Sequence, residues 1–265
     1  MLHRQLRART KIALAVSSIV LLACIYFYMS HRQHQKNPKD TTIPNVSQIV
    51  HGWHKLITPD ASGERWLLVD SWATAKRLLL GLLMGSVLAL IIGMSMGCFT
   101  EAEAFCKLPL SFFAKIPPTA MLAVYFVLVG TQMKMFIAMI SLGIFPTLAQ
   151  SIYAAAKKDV HPTLIDKAYT LGASHMEVIW NVIYKQILPR IIENIRLQIG
   201  PAMVFLIAAE WAVADVGFGY RLRIQSRLLN MNVVYTYLAI LAGTGFLMDW
   251  GLSATRRKLC GWFGE

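Results

Sequence analysis

The chain has 265 residues, 56% of them hydrophobic and only 15% charged, with a formal net charge of +12. A mean hydropathy of +0.50 excludes an ordinary soluble domain, which runs nearer a quarter charged and cannot hide this much apolar surface in one core, so lipid solvates part of the chain. The positive charge then belongs to cytoplasmic loops and anionic headgroups; no zinc-finger spacing or RNA-binding aromatic motif accompanies it, so no nucleic-acid partner is expected.

The N-terminus, MLHRQLRARTK, places Arg4, Arg7, Arg9 and Lys11 before an uncharged run from Ile12 to Met29. That run is long and leads into YMSHRQ without a small-x-small cleavage site, so residues 1–30 read as a basic cytoplasmic segment and an uncleaved signal anchor. Residues 31–67 are polar and read as periplasmic. Within them Val46, Ile49, Val50, Trp53, Leu56 and Ile57 trace one helical stripe, started by Pro44 and Asn45 and too short to span: an amphipathic helix on the outer membrane surface. His31 with His34, and His51 with His54, have i,i+3 spacing but no nearby Cys or carboxylate cluster, so no metal site is expected.

Residues 68–258 read as the membrane core. The run from Leu78 to Cys98 is long enough to cross a bilayer and carries two small-xxx-small pairs, Gly81/Gly85 and Gly93/Gly97, which let helix backbones approach closely. After Glu101 and Glu103, LPLSFFAKIPPTAMLAVYFVLVG is broken by Pro109, Pro117 and Pro118, predicting a short helix, a turn and a span near Pro118–Val129. Broken helices at membrane depth are tolerated where they line a cavity or are buried in protein. Met135–Ala156 is a further span, kinked at Pro146. Two more follow, Ile191–Val213 and Val233–Ala254, and Arg256-Arg257-Lys258 precede a tail at 259–265. The expectation is an all-α membrane protein of about six transmembrane helices, with both termini cytoplasmic by the positive-inside rule. Arg221, Arg223 and Arg227 run against that rule in the last outer loop. Cys24, Cys98, Cys106 and Cys260 show no metal-ligand spacing and are expected as free thiols.

Ionisable residues inside spans are expensive and therefore informative. Glu193 and Arg196 lie one helical turn apart and suit a mutual pair. Arg196, Glu210 and Asp249 are each candidates for the translocation path or for helix-to-helix hydrogen bonding, and Glu210 suits a tie at the outer gate.

The loop 157–188 is no plain linker. Pro162 suits a helix's first turn; Leu164, Ile165, Ala168, Tyr169 and Leu171 continue it, and Gly172 is placed to end it. Ser174 with Glu177 makes a capping box that starts a second helix. A short cytoplasmic helix with an apolar face needs a partner to bury that face.

Asp166-Lys167-Ala168, three residues, then Gly172-Ala173-Ser174 resembles the EAA loop of permeases in ATP-binding-cassette (ABC) importers. KIPPTAMLAVYFVLVGT, FPTLAQSIYAAAKKDVHPTLIDKAYTLGAS and AAEWAVADVGFGYRL resemble stretches of the nitrate/sulfonate/taurine/bicarbonate branch of that family, and the likeness covers Ser71 to Lys258. Asp166 stands where the family usually has Glu, and Lys167 where it has Ala. The family's Leu-Pro falls on Tyr184-Lys185, while its second proline aligns with Pro189. The resemblance implies a type I importer permease whose coupling helix docks in a groove on a separate ATPase subunit. It also implies a permease homodimer, a periplasmic solute-binding protein, and a small solute of that branch, often anionic. The chain has no G-x-x-x-x-G-K-[ST], so it carries no cofactor and ATP is bound by the partner subunit. An ATP-independent channel or secondary transporter is the rival reading, although no inverted repeat supports it. A membrane enzyme lacks a convergent acid, base or metal set, and no enzyme activity is expected.

Overall fold

The computed structural model describes residues 8–38, 40–59, 63 and 65–262; Arg4, Arg7 and the last residues of the expected tail lie outside the described residues. Every regular element among them is helical. Contacts divide the chain into two compact units, Met1–Trp66 with Ile224–Leu238, and Leu67–Arg223 with Ala239–Glu265. Ile224–Leu238 thus groups by its contacts with the N-terminal segment.

In the first unit, α1 (Ala8–Lys36) leads to α2 (Val46–Ile57), whose start is a capping box between Asn45 and Gln48. The Tyr26 hydroxyl donates to the Pro44 carbonyl at 2.6 Å, and Ser30 donates to Ile43. α2 buries Gly52 and Leu56 and exposes Val46, Val50, Trp53 and Ile57, so it packs on one face and leaves an apolar stripe on another. A Cβ at Gly52 would lie 2.8 Å from the Asn232 carbonyl oxygen, which is why that face can approach so closely.

The second unit is built around α6 (Met133–Lys158), whose Met135, Met139, Ile140, Ile144, Leu148, Ala149 and Ile152 have no exposed surface. Pro146 sits at its middle and the helix continues through it. α3 (Trp66–Cys98) backs onto α6 along its glycines: a Cβ at Gly81 would fall 2.6 Å from Ile140, and one at Gly93 would fall 2.7 Å from the Ala149 carbonyl oxygen. The small-xxx-small pairs therefore face protein. α4 (Thr100–Phe113) is tied to α6 by Glu103, which bonds Lys157, Tyr153 and Lys107; those donors, Lys157 foremost, hold the Glu103 carboxyl down to about 2.

Five helical stretches among the described residues are long and apolar enough to cross a membrane: Arg9–Lys36, Trp66–Cys98, Met133–Lys158, His175–Val213 and Met231–Leu259. The sixth apolar stretch, expected as a span near Pro118–Val129, is α5 (Leu122–Val129), an eight-residue helix closed by Gly130 at φ 82. Pro109 does not break the chain but lies inside α4; the interruption falls instead at 114–121, where Pro117 and Pro118 cannot donate to a helix. α7 (Pro162–Thr170) and α8 (His175–Glu177) form the loop. A π-helical turn, Val178–Tyr184, then runs into α9 (Lys185–Leu197), and α10 (Ile199–Val213) follows after a break at Gln198. The expected outer loop after it contains α11 (Phe218–Arg227), before α12 (Met231–Leu259).

Candidate functional site

The corner between α7 and α8 is built from two local devices. Gly172 adopts φ +84; its N–H reaches the Tyr169 carbonyl and the Ala173 N–H reaches back to the Ala168 carbonyl at 3.1 Å, the pair of bonds of a Schellman cap. Two residues on, the Ser174 hydroxyl accepts from the Glu177 N–H, and the Glu177 carboxylate accepts from the Ser174 N–H at 2.8 Å. Pro162 occupies the first turn of α7 without disturbing it. Ile165, Ala168 and Ala173 turn inward and pack against the buried cluster that includes Val160, Val178 and Ile183. Asp166 and Lys167 are exposed. So are Leu164 and Tyr169, and the tip carries Leu171 and Met176, 87% and 63% exposed. An ion pair between Asp159 and Arg190, at 3.3 Å, ties the end of α6 to α9 at the base of the loop. The result is a short helix with its inner face packed, its direction set by two caps and its apolar tip uncovered.

Glu210 is fully buried and lies in a polar clamp that joins α10, α11 and α3. Its carboxylate accepts from Arg77 Nη1 at 2.7 Å, from the Thr74 hydroxyl at 2.9 Å and from the Gly219 N–H at 2.9 Å. Arg77 also donates to the Val216 carbonyl and stacks over Phe136, with 4.1 Å to the ring centroid. Asp70, also fully buried, accepts from the Gly217 N–H and pairs with Arg221 at 2.9 Å. The glycines are required here: a Cβ at Gly217 would sit 2.6 Å from Glu210 Oε1, and one at Gly219 would sit 2.5 Å from Glu210 Cβ. Arg223, which the sequence reading left in an outer loop, donates to the carbonyls of Trp211, Ala212 and Ala214 and so caps the C-terminus of α10. Sequence reasoning named Glu210 and missed Asp70, Thr74 and Arg77. Their signal was present as polar residues at i, i+4 and i+7, one stripe on the first turns of α3.

Arg196 and Asp249 are brought together, but away from Glu210. Arg196 pairs with Asp249 at 2.6 Å and with Glu193 at 3.1 Å, and Arg256 bonds the second oxygen of Glu193 at 3.0 Å. Two cations and two carboxylates thus balance across α9 and α12. No group of three or more His, Cys, Asp or Glu that could hold a metal occurs among the described residues, and the four cysteines are free. The model for the binding-protein-dependent transport system inner membrane component matches residues 4–259. Taurine transport system permease protein TauC of Escherichia coli is 28% identical over 223 residues, spanning 84% of this chain and 81% of TauC. Aliphatic sulfonates transport permease protein SsuC of Bacillus subtilis is 28% identical over 222 residues, with 84% and 78% covered. The permease fold of the MetNI methionine ABC transporter, solved in inward-facing conformations, superposes with a TM-score of 0.65 at 19% identity, covering 72% of this chain and 94% of that one. With its helical membrane-spanning architecture, the chain belongs to the family of binding-protein-dependent transport system inner membrane components, the permease subunits of ABC importers.

Proposed function

We propose that this permease docks through the corner between α7 and α8 onto a separate ATPase subunit, which binds and hydrolyses the ATP, and that corner movement opens and closes the solute path. The observation that carries the reading is the uncovered apolar tip, Leu171 and Met176, on a segment whose inner face is packed and whose angle is set by two caps. An exposed apolar patch on a rigid corner is a protein-binding surface, because water solvates it poorly and nothing local can bury it. Two permease copies form the path in the inner membrane, with both termini cytoplasmic and a solute-binding protein delivering from the periplasm. The solute is small and anionic; the names of the relatives, taurine and aliphatic sulfonates, support that class.

Gly172→Val tests the docking assignment. No atom lies within 4 Å of the added Cβ, so the change acts only through φ +84, which a β-branched residue resists by about 1–2 kcal/mol. Expression and membrane insertion are expected to stay at wild-type level, while ATP-dependent uptake by the reconstituted complex falls at least about tenfold. Asp166→Ala is expected to lose less, since an exposed ion pair contributes about 1 kcal/mol or less. Wild-type uptake by Gly172→Val would remove the corner from the coupling mechanism.

A further inference from the structure

The second unit holds a half-open cavity of about 720 Å3 on which two interruptions of regular helix and a mid-helix proline converge. The turn between α4 and α5 contributes Lys115 and Pro117, the middle of α6 contributes Leu142 and Pro146, and the break between α9 and α10 contributes Gln198 and Pro201. Pro146 and Pro201 carry no N–H, so the carbonyls of Leu142 and Leu197 lose their helical donors. Backbone of this kind is tolerated at membrane depth where it is buried in protein or borders a water-filled space.

The remaining lining is largely apolar, with Met121 and Phe205 among its walls, and has a small set of polar groups: Lys115, Tyr125, Thr147 and Gln198. Thr147 Oγ1 donates to the Ile144 carbonyl at 3.0 Å and lies 3.5 Å from Gln198 Oε1, so the Gln198 amide nitrogen is the donor this pair offers an anion. Lys115 is the only charged residue of the lining, no carboxylate lines the cavity, and Lys115 forms no ion pair among the described residues. A lone cation against apolar walls favours an anion that carries its own apolar body, because the head meets the ammonium while the body replaces water on the walls. The unit's smaller cavity, about 290 Å3 and lined without any charged residue, offers no such head-group partner.

Resting on the importer reading above, we propose that this cavity receives the solute in passage and that Lys115 selects a small organic anion with a short aliphatic body. Lys115 meets the sulfonate or carboxylate head, the Gln198 amide nitrogen donates a further hydrogen bond to it, and Met121 and Phe205 hold the chain.

The test is charge-selective labelling in the reconstituted permease–ATPase complex, with Cys24, Cys98, Cys106 and Cys260 replaced by serine and Leu142→Cys as reporter. An anionic reagent, 2-sulfonatoethyl methanethiosulfonate, is compared with its trimethylammonium analogue, each normalised to its rate with free 2-mercaptoethanol. The anionic reagent is expected to react about tenfold faster, since a cleft with apolar walls and a single sign of charge concentrates counter-ions by about that factor. 1-Butanesulfonate should slow it, Lys115→Gln should bring the ratio near one, and Lys115→Arg should restore it. A ratio unchanged in Lys115→Gln overturns the proposal, as does an unreactive reporter. So does oxidative cross-linking of two chains through Leu142→Cys faster than reagent modification, which would place a second copy in the cavity. These readouts do not depend on transport. A wild-type complex without ATP-dependent uptake would instead remove the importer reading and leave the labelling ratio standing.

Discussion

Arg77 and Glu210 show what a single buried charge demands. The Glu210 side chain has no exposed surface and that of Arg77 only 11%, so each carries a desolvation cost that its partner offsets. Truncating one side strands the other: Glu210→Ala leaves the Arg77 guanidinium, the Thr74 hydroxyl and the Gly219 N–H without their acceptor. We expect Glu210→Ala to destabilise the detergent-solubilised protein by about 3–5 kcal/mol, read as a lowered thermal unfolding midpoint. Glu210→Ala with Arg77→Met should cost less than the two single changes added together, since the pair no longer leaves a charge uncompensated. Strict additivity would mean that the two side chains do not act as one clamp.

At the scale of elements, the contact between α3 and α6 is decided by missing side chains. Gly93 and Gly251 are both glycines within helices, yet only one is held by its neighbour. A Cβ at Gly93 would meet the Ala149 carbonyl oxygen at 2.7 Å, an atom of the α6 backbone that cannot rotate away, whereas a Cβ at Gly251 meets nothing within 4 Å. The same substitution therefore acts in opposite directions. Gly93→Ala should cost about 1–3 kcal/mol by overpacking and reduce the yield of detergent-stable protein. Gly251→Ala should be neutral or stabilising by up to about 1 kcal/mol from helix propensity alone. Equal yields for the two variants would place the Gly93 face of α3 in lipid.

For the molecule as a whole, the N-terminal basic cluster, the basic residues of the 157–190 loop and the Arg256-Arg257-Lys258 run are expected to set the orientation, because translocating several cations is unfavourable. In a background without the natural cysteines, Pro59→Cys should react with a membrane-impermeant thiol reagent in intact spheroplasts, and Lys158→Cys only after lysis. Labelling of Lys158→Cys in intact spheroplasts would invert the topology and move the α7–α8 corner out of reach of any cytoplasmic ATPase.

By itself the sequence determined the membrane class, four of the long apolar helices together with the N-terminal one, and the α7–α8 corner. These signals are local: an uncharged run of sufficient length, a glycine after the last helical turn, and a Ser-x-x-Glu cap are each complete within a few residues. Only the tertiary structure decided that α5 stops after eight residues, that a π-helical turn follows α8, and that two helix breaks and the α6 proline share one cavity. It also decided the partners of the charges within the long helices. Glu210 announced its need of a counter-charge, but Arg77 lies 133 residues away along the chain, and Asp249 reaches Arg196 across 53. A carboxylate in an apolar helix requires a cation or donors within bonding distance, and that requirement carries no information about which residue meets it; packing chooses the partner.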